Sequence, residues 1–259
     1  MKLDDEDYWA EYDGLQHAKH QLLKSYLGGW FPILTSNKGR VLYIDCNAGR
    51  GRHKSGQEGS PLLALNILLT HSCRDQILKN SEVGFIFFEA NQHNYNNLCK
   101  ELAALDSPPD RIHINSFHAD YEEVLRSLIT DIRSKGITLA PSFGFIDPYG
   151  FTISMELMNE ILGFPGCELL INFMYRYIDM AIHKEDQAKN MDSLFGSHDW
   201  SNLVNNRDPD QRAKATIDLF SRQLNAKYVS QMYMRGRNKA LKYVLLHASN
   251  HSKGRNLMK

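Results

Sequence analysis

The stretch Val41–Pro61, VLYIDCNAGRGRHKSGQEGSP, decides the fold. Its first four residues are apolar and rich in β-branched and aromatic side chains, which predicts a short buried strand that ends at Asp45. Gly49 and Gly51 then allow a sharp turn whose backbone N–H groups face outward. The dipeptide Ser60-Pro61 predicts an N-cap followed by proline at the first helical position. A strand, a glycine loop and a helix in this order predict an α/β sheet that holds a nucleotide-like ligand at the carboxyl end of its first strand.

The composition is that of a globular protein. The chain has 259 residues, and 42% of them are hydrophobic, which is enough for a substantial core. No apolar run reaches the roughly 18 residues of a membrane span, so no membrane association is expected. The acidic start MKLDDEDYW predicts neither a secretory signal nor a transit peptide, and the four cysteines are widely spaced. These features predict a cytoplasmic protein with reduced thiols and without a zinc or iron–sulfur site.

Helices and strands alternate after the first stretch. Strand patterns recur at Val83–Phe88, Arg111–Ser116, Ser142–Ile146 and Cys167–Phe173, with helical segments between them. This alternation predicts a parallel sheet with helices on both faces. Acids follow the first four strands, namely Asp45, Glu89, Asp120 and Asp147. In an open α/β sheet, these strand ends line the ligand crevice.

An apolar stripe at helical spacing precedes the first strand. It predicts an amphipathic helix over Leu15–Trp30, with Gly28-Gly29 as an early end. His17 and His20 lie three residues apart on this helix, which is the spacing of two metal ligands. No third ligand lies nearby, so the prediction is a polar helix face and no metal.

The segment 176–226 interrupts the alternation. Two helical stretches, about Ile178–Asn190 and Pro209–Leu224, flank the loop Phe195–Trp200, whose aromatic residues are expected to be exposed. This helical insertion is either a plain packing element, the favoured interpretation, or a lid over the substrate. The strand patterns Tyr228–Arg235 and Leu241–Ala248 then flank a turn, which predicts an antiparallel hairpin. Parallel strands completed by such a hairpin are typical of class I methyltransferases, which use S-adenosylmethionine.

The glycine loop favours this cofactor over a dinucleotide or a nucleoside triphosphate. Lys54 stands where a dinucleotide fingerprint has its third glycine, and no G-x-x-x-x-G-K-[ST] loop occurs. The pattern D-x-x-x-G-x-G, with an acid after the second strand, resembles the first two motifs of class I methyltransferases. By that resemblance, the loop faces the methionyl part of the cofactor, Glu89 accepts both ribose hydroxyls and Asp120 receives the adenine amino group. The implied cofactor-binding residues are Asp45, Asn47, Ala48, Gly49, Gly51, Glu89 and Asp120.

Several blocks of the chain together resemble the three-Cys-motif partner family. They are YID-x-x-AG-x-GR, G-x-x-GSPLLAL, FFE, FIDPYG and MRGRNKALKYVLLHASNH-x-KG. The resemblance implies a methyltransferase-like fold and a three-Cys-motif protein as partner, in a phage-related or mobile gene cluster. Asn47 stands where the family usually has an aromatic residue, and Arg50 stands where proline is common. A further C-terminal region beyond residue 259 is also expected.

The block Asp147-Pro148-Tyr149-Gly150 is the candidate for catalysis. It is similar to the D-P-P-Y motif of amino-methyltransferases that act on bases. In that chemistry, the Asp147 side chain and the backbone carbonyl beside Pro148 hold an exocyclic amine, and Tyr149 stacks on a flipped base. The alternatives are that Asp147 caps the next helix or touches the cofactor, and that Tyr149 only packs.

The positive charge is concentrated near the end of the chain. Residues 226–259 contain eight Lys and Arg residues and no acid, although the net charge of the chain is zero. Such a segment is either a polyanion-facing edge or a set of ordinary solvated cations. Arg235, Arg237 and Lys239, on and beside the predicted hairpin turn, are the candidate contacts to nucleic acid.

The expected organisation is a single methyltransferase-like domain over residues 1–259. It comprises an N-terminal helical region (1–36), a cofactor-binding core (37–175), a helical insertion (176–226) and a terminal hairpin (227–250). Three functions follow: methylation of an exocyclic amine in a nucleic acid or nucleobase-like substrate, a partner subunit that binds the cofactor without catalysis, and a nucleic-acid-binding module. The four strand-end acids favour the first function, whereas Asn47 and Arg50 favour the others.

Overall fold

A computed structural model describes residues 12–36, 39–237 and 239–259. Seven strands form a mixed sheet: β1 (Gly39–Asp45), β2 (Ser81–Glu89), β3 (Ile112–His118), β4 (Ser142–Ile146), β5 (Glu168–Phe173), β6 (Tyr228–Arg235) and β7 (Leu241–Ser249). Their order is β3-β2-β1-β4-β5-β7-β6. The β1–β2, β1–β4 and β2–β3 pairs are parallel, whereas β7 is antiparallel to both β5 and β6. The predicted Rossmann-like α/β fold with parallel strands and an antiparallel C-terminal hairpin is therefore confirmed.

The chain divides into two compact units. The first unit contains the residues up to Val124 together with Ala140–Phe145, and the second contains Leu125–Leu139 and Ile146–Lys259. The helices of the first unit are α1 (Gly14–Leu34), α2 (Ser60–Leu69), α3 (Arg74–Asn80) and α4 (Gln92–Ala103), and α5 (Tyr121–Ser134) begins there. The second unit contains α6 (Met155–Leu162), α7 (Tyr175–Ala181), α8 (Ala188–Phe195), α9 (Pro209–Gln223) and α10 (Ser252–Leu257). No helix among the described residues is long and apolar enough to cross a membrane.

The core of the first unit forms between α1 and the sheet. Tyr26 of α1 lies 5.1 Å from Phe143 of β4, measured between ring centroids, and Tyr43 of β1 stacks on Phe143 at 6.2 Å. All three side chains are almost fully buried. Burial of aromatic surface of this size dominates the stabilisation of such a core.

Two helix boundaries differ from the prediction. Helix α1 continues through Gly28-Gly29 to Leu34, because Trp30 and Phe31 are fully buried and their packing outweighs a glycine cost of about 1 kcal/mol per residue. Helix α2 begins at Ser60 with Gly59 as its N-cap, so the prediction of Ser60 as the cap is wrong by one residue. The N–H of Gly59 donates to the Gly51 carbonyl at 2.7 Å, and this loop closure starts the helix earlier.

The helical insertion also differs from the prediction. The expected helix Ile178–Asn190 is divided between α7 and α8, with a 3-10 turn at Glu185–Gln187. The aromatic residues expected to be exposed are buried: Phe195 lies 6.2 Å from Phe220 of α9, and Trp200 donates its indole N–H to Asp192 at 2.7 Å. These contacts favour the packing interpretation of the insertion over a lid.

Candidate cofactor and substrate sites

The buried side chain of Asp45 organises the loop after β1. This residue is fully buried, and its carboxylate accepts hydrogen bonds from the Tyr43 hydroxyl and from the Asn47 backbone N–H, both at 3.3 Å. The N–H of Ala48 donates to the Phe88 carbonyl at 2.8 Å, which ties the loop to β2. Asp45 therefore shapes the loop and is not presented on its surface.

The two glycines of the loop meet a backbone requirement. Gly49 and Gly51 have φ values of +66° and +83°, which side chains rarely tolerate. A Cβ atom at Gly51 would also lie 3.3 Å from side-chain atoms of Leu98 and Glu101 in α4. The conformation of the loop thus depends on glycine at both positions.

Glu89 connects the loop to the end of β2. One carboxylate oxygen accepts the Gly49 N–H at 2.8 Å, and the other accepts the Asn91 N–H at 2.7 Å. The residue is half-buried. Because each carboxylate oxygen has two lone pairs, this arrangement is compatible with additional hydroxyl donors from a ligand.

Asp120 occupies the corresponding position after β3. It is exposed, and its carboxylate accepts the Glu122 N–H at 2.8 Å in the first turn of α5. Burial raises the pKa of Cys46 well above its usual value, and the charges of Asp45 and Asp120 raise it further. Of the predicted acids, Asp45 and Asp120 therefore both act on one buried thiol of the first unit.

The residues of this site fit S-adenosylmethionine chemically. Two carboxylates suit the ribose hydroxyls and the adenine amine, which are all donors. The side-chain oxygen of Asn47 is buried and has no hydrogen-bond partner among the described residues. A buried acceptor without a partner costs free energy, so it suits a donor such as the ammonium group of a methionyl moiety. The departure at Asn47 is thus compatible with cofactor binding.

The block after β4 belongs to the second unit. Asp147 is half-buried and accepts a hydrogen bond from the Asn172 side-chain nitrogen at 2.5 Å. Pro148 is buried, whereas Tyr149 is 50% exposed, and its ring centroid lies 6.4 Å from that of Tyr177. The cap of α6 is Ser154, so the alternative in which Asp147 caps the next helix is wrong.

Asn172 was not predicted as a functional residue. It is buried near the carboxyl end of β5, and its side-chain oxygen has no hydrogen-bond partner among the described residues. The signal in the sequence was a single amide in the otherwise apolar run LLINF. Buried polar side chains in such strands are retained for a partner, which here is Asp147.

The predicted basic contacts lie around the turn between β6 and β7. Arg235, Arg237 and Lys239 are exposed, and no ion pair joins them to a carboxylate in the described part of the chain. Val244 pairs with both Phe173 of β5 and Tyr233 of β6. The turn therefore lies at the edge where β5 ends, which is also where Asn172 holds Asp147.

A buried cluster of the first unit was missed by the prediction. It consists of Tyr12, Lys19, His20 and His53, and the last three are at least 95% buried. The Tyr12 hydroxyl lies 3.0 Å from Nδ1 of His20, and the rings of Tyr12 and His53 are 5.0 Å apart. Burial lowers the pKa of His53 to about 4, and the charges of Lys19 and Arg50 contribute. His20 thus contacts Tyr12, while His17 is exposed.

No family model and no curated protein matches the chain. Among solved structures, it is similar to the O-methyltransferase from Bacillus cereus in complex with SAH, at 13% identity and a TM-score of 0.43, with 96% of this chain and 92% of that chain covered. Human methyltransferase-like protein 13 in complex with SAH matches at 12% identity and a TM-score of 0.43, covering 91% and 83%. The cyclopropane synthase MmaA2 from Mycobacterium tuberculosis matches at 8% identity and a TM-score of 0.38, covering 89% and 74%. At these similarities, the matches carry no argument about substrate or cofactor.

Proposed function

We propose that this protein is an S-adenosylmethionine-dependent methyltransferase that acts on an exocyclic amine of a nucleic acid or nucleobase-like substrate. The observation that carries the proposal is the arrangement of two carboxylates in the first unit. Glu89 accepts a hydrogen bond from the glycine loop, and Asp120 follows the neighbouring strand β3. Glu89 and Asp120 would hold the ribose and adenine, and Asn47 the methionyl ammonium. When bound, S-adenosylmethionine supplies an electrophilic methyl group.

Asp147 is the proposed catalytic residue. Its carboxylate would accept a hydrogen bond from the substrate amine and so orient the nitrogen lone pair for attack. The amide of Asn172, 2.5 Å from Asp147, keeps the carboxylate in one orientation. Such positioning would increase the rate of methyl transfer, because a nucleophile held in a single geometry avoids much of the entropic cost of the reaction.

The exposed side chains of the second unit support a nucleic-acid substrate. Tyr149 and Tyr177 form an aromatic pair, and Arg176, exposed, precedes Tyr177 in α7. Aromatic rings with nearby cations stack on bases without reading their sequence. The cations Arg235 and Arg237 at the β6–β7 turn would contact phosphates.

Calorimetric titration with S-adenosylhomocysteine tests the cofactor assignment. The parent protein is expected to bind it, and Glu89→Ala is expected to weaken binding by about ten- to a hundredfold, since charge-assisted hydrogen bonds are worth roughly 1.5–3 kcal/mol. The matched control is Glu82→Ala, at the opposite end of β2, which should leave the affinity unchanged. Binding of NAD without binding of S-adenosylhomocysteine would show that the cofactor assignment is wrong.

The second candidate is a partner subunit that binds the cofactor without catalysis and assembles with a three-Cys-motif protein. The loop departures at Asn47 and Arg50 favour it. Transfer of a labelled methyl group to mixed DNA and RNA, with and without the co-expressed partner, separates the two candidates. Cofactor binding without transfer under either condition would favour the partner subunit.

A further inference from the structure

We propose that Asp179 and Arg212 are positioning residues that hold helix α7 in the orientation in which Tyr177 stacks on a substrate base. This inference rests on the proposed function and deepens it, because it assigns a part in substrate binding to the helical insertion 176–226. Both residues lie in the second unit, as do Tyr177 and its aromatic neighbour Tyr149.

Helix α7 depends on contacts with other elements. It has seven residues, whereas an isolated helix needs about 12–15 residues to be even marginally stable in water. Its N-cap is Met174, and a thioether is only a weak hydrogen-bond acceptor. Ile178 and Ala181 bury one side of the helix, while Met180 on the other side is 55% exposed. The orientation of α7 is therefore set by the residues that fix its buried side.

A hydrogen-bonded ion pair joins α7 to α9. The Asp179 carboxylate accepts hydrogen bonds from Nε of Arg212 at 2.6 Å and from Nη2 at 3.4 Å, and Nη1 donates to the Asn206 carbonyl at 2.7 Å. The Tyr175 hydroxyl donates to the same carboxylate at 3.1 Å. The Arg212 side chain is only 14% exposed, so solvent screens this pair less than a surface pair. A guanidinium fork of this kind fixes the direction of its partner as well as the distance.

The protonation states of the network suit this role. The hydrogen bond with Asp179 raises the pKa of Arg212, so the guanidinium stays charged. Burial raises the pKa of Tyr175 above its usual value and the charge of Asp179 raises it further, so the hydroxyl stays protonated and donates. The network is therefore intact at neutral pH.

Tyr177 occurs between the two residues of α7 that the network holds. Tyr175 precedes it by two positions and Asp179 follows it by two. The ring centroid of Tyr177 lies 6.4 Å from that of Tyr149, which is 50% exposed, and Arg176 beside it is also exposed. A rotation of so short a helix would move Tyr177 relative to Tyr149. Loss of the network should therefore weaken base stacking on this pair.

The variant Asp179→Asn tests the inference, because it nearly conserves the shape of the side chain and removes the charge-assisted pair. Loss of a negative charge would by itself favour a polyanion, whereas a displaced Tyr177 would weaken its binding. In fluorescence anisotropy with a labelled single-stranded DNA of mixed sequence, Asp179→Asn is expected to weaken binding about three- to tenfold. S-adenosylhomocysteine affinity, measured by calorimetry, should stay within about twofold. Unchanged or tighter DNA binding would overturn the inference.

Asp192→Asn is the matched control. Asp192 lies in α8 of the same insertion, and its carboxylate accepts the Trp200 indole N–H at 2.7 Å and lies 2.9 Å from Nδ1 of His198. This substitution makes the same change in charge and shape, but the bonds that it breaks hold Trp200 and His198. It is expected to leave DNA affinity unchanged or slightly higher. Equal weakening by Asp179→Asn and Asp192→Asn would show a general loss of packing and overturn the inference.

A double-mutant cycle shows whether Asp179 acts through Tyr177. Tyr177→Ala is expected to weaken DNA binding about tenfold, and Asp179→Asn should then change it by less than about twofold in that background. Additive effects of the two substitutions would overturn the inference and leave the proposed function intact. If the parent protein binds neither this DNA nor the corresponding RNA, the nucleic-acid part of the proposed function falls, and the inference with it.

A milder variant decides if Asp179→Asn does not fold. Tyr175→Phe removes only the hydroxyl donor of the network and keeps the ion pair with Arg212. It is expected to weaken DNA binding by a smaller factor than Asp179→Asn, again without an effect on S-adenosylhomocysteine. Unchanged DNA binding by Tyr175→Phe would reject the positioning role of the network.

Discussion

The two units hold their acidic residues in different ways. In the first unit, Asp45, Glu89 and Asp120 each accept at least one backbone N–H, so the fold itself positions them. In the second unit, Asp147 is held by the side chain of Asn172, beside an exposed tyrosine. Under the proposed function, backbone N–H groups hold the acids of the edge assigned to the cofactor, and the Asn172 side chain contacts the acid of the edge assigned to the substrate. Substitutions should therefore act on folding and cofactor affinity in the first unit, and on turnover or substrate affinity in the second.

The largest effect is expected from Asp147→Asn. Loss of the charged acceptor should leave the substrate amine poorly oriented and lower methyl transfer about a hundredfold, whereas S-adenosylhomocysteine affinity should stay within about twofold. Single-turnover transfer and calorimetry on the same preparation measure the two quantities. Equal losses of methyl transfer and of S-adenosylhomocysteine affinity would contradict the assignment of the two edges to different ligands.

The next largest effect is expected from Asp45→Ala. The Asn47 N–H and the Tyr43 hydroxyl would lose their buried acceptor, so the free energy of unfolding should fall by about 2 kcal/mol. The comparison variant is Asp120→Ala. The Asp120 carboxylate is exposed, so its loss should lower the free energy of unfolding by about 1 kcal/mol or less. Urea unfolding measures both variants, and a larger loss for Asp120→Ala would contradict the backbone-held arrangement.

The pH dependence of stability should reveal the environment of His53. Its pKa is about 4 in the folded protein and 6.5 in its ordinary state. Between these values the unfolded chain binds the additional proton, so the free energy of unfolding should fall as the pH decreases from 6.5 to 4, by at most about 1.4 kcal/mol per pH unit. His53→Gln should flatten this decrease in urea titrations, and the exposed His93→Gln should not. A parent slope unaffected by His53→Gln would contradict the prediction.

The smallest effect per residue is expected at the β6–β7 turn. Replacing Arg235 and Arg237 with alanine should weaken binding to all DNA and RNA sequences and flatten the log–log salt slope by about one to two. The control is the double variant Lys214→Ala and Arg222→Ala, which removes the same charge from α9. If both double variants bind as the parent does, the turn is a solvated face and contributes nothing to substrate binding.

Patterns within short segments predicted much of the fold. The strand Ser142–Ile146 was predicted with its observed ends, and the hairpin Tyr228–Ala248 was predicted in its observed pairing. Both have local signals, which are an apolar run in one case and two strand patterns flanking a turn in the other. The sequence likewise predicted the glycine loop and its acids, because the backbone conformations of Gly49 and Gly51 depend on local sequence.

The sequence by itself therefore determined the fold class and the acids at the strand ends, since each depends on neighbours along the chain. Only the tertiary structure decided how far α1 extends, that Trp200 is buried, and that Asn172 is the partner of Asp147. The same holds for the packing of His20 beside His53, which lies far along the sequence from it. These features arise from contacts between distant segments, where packing free energy outweighs local propensity and leaves no periodic trace in the sequence.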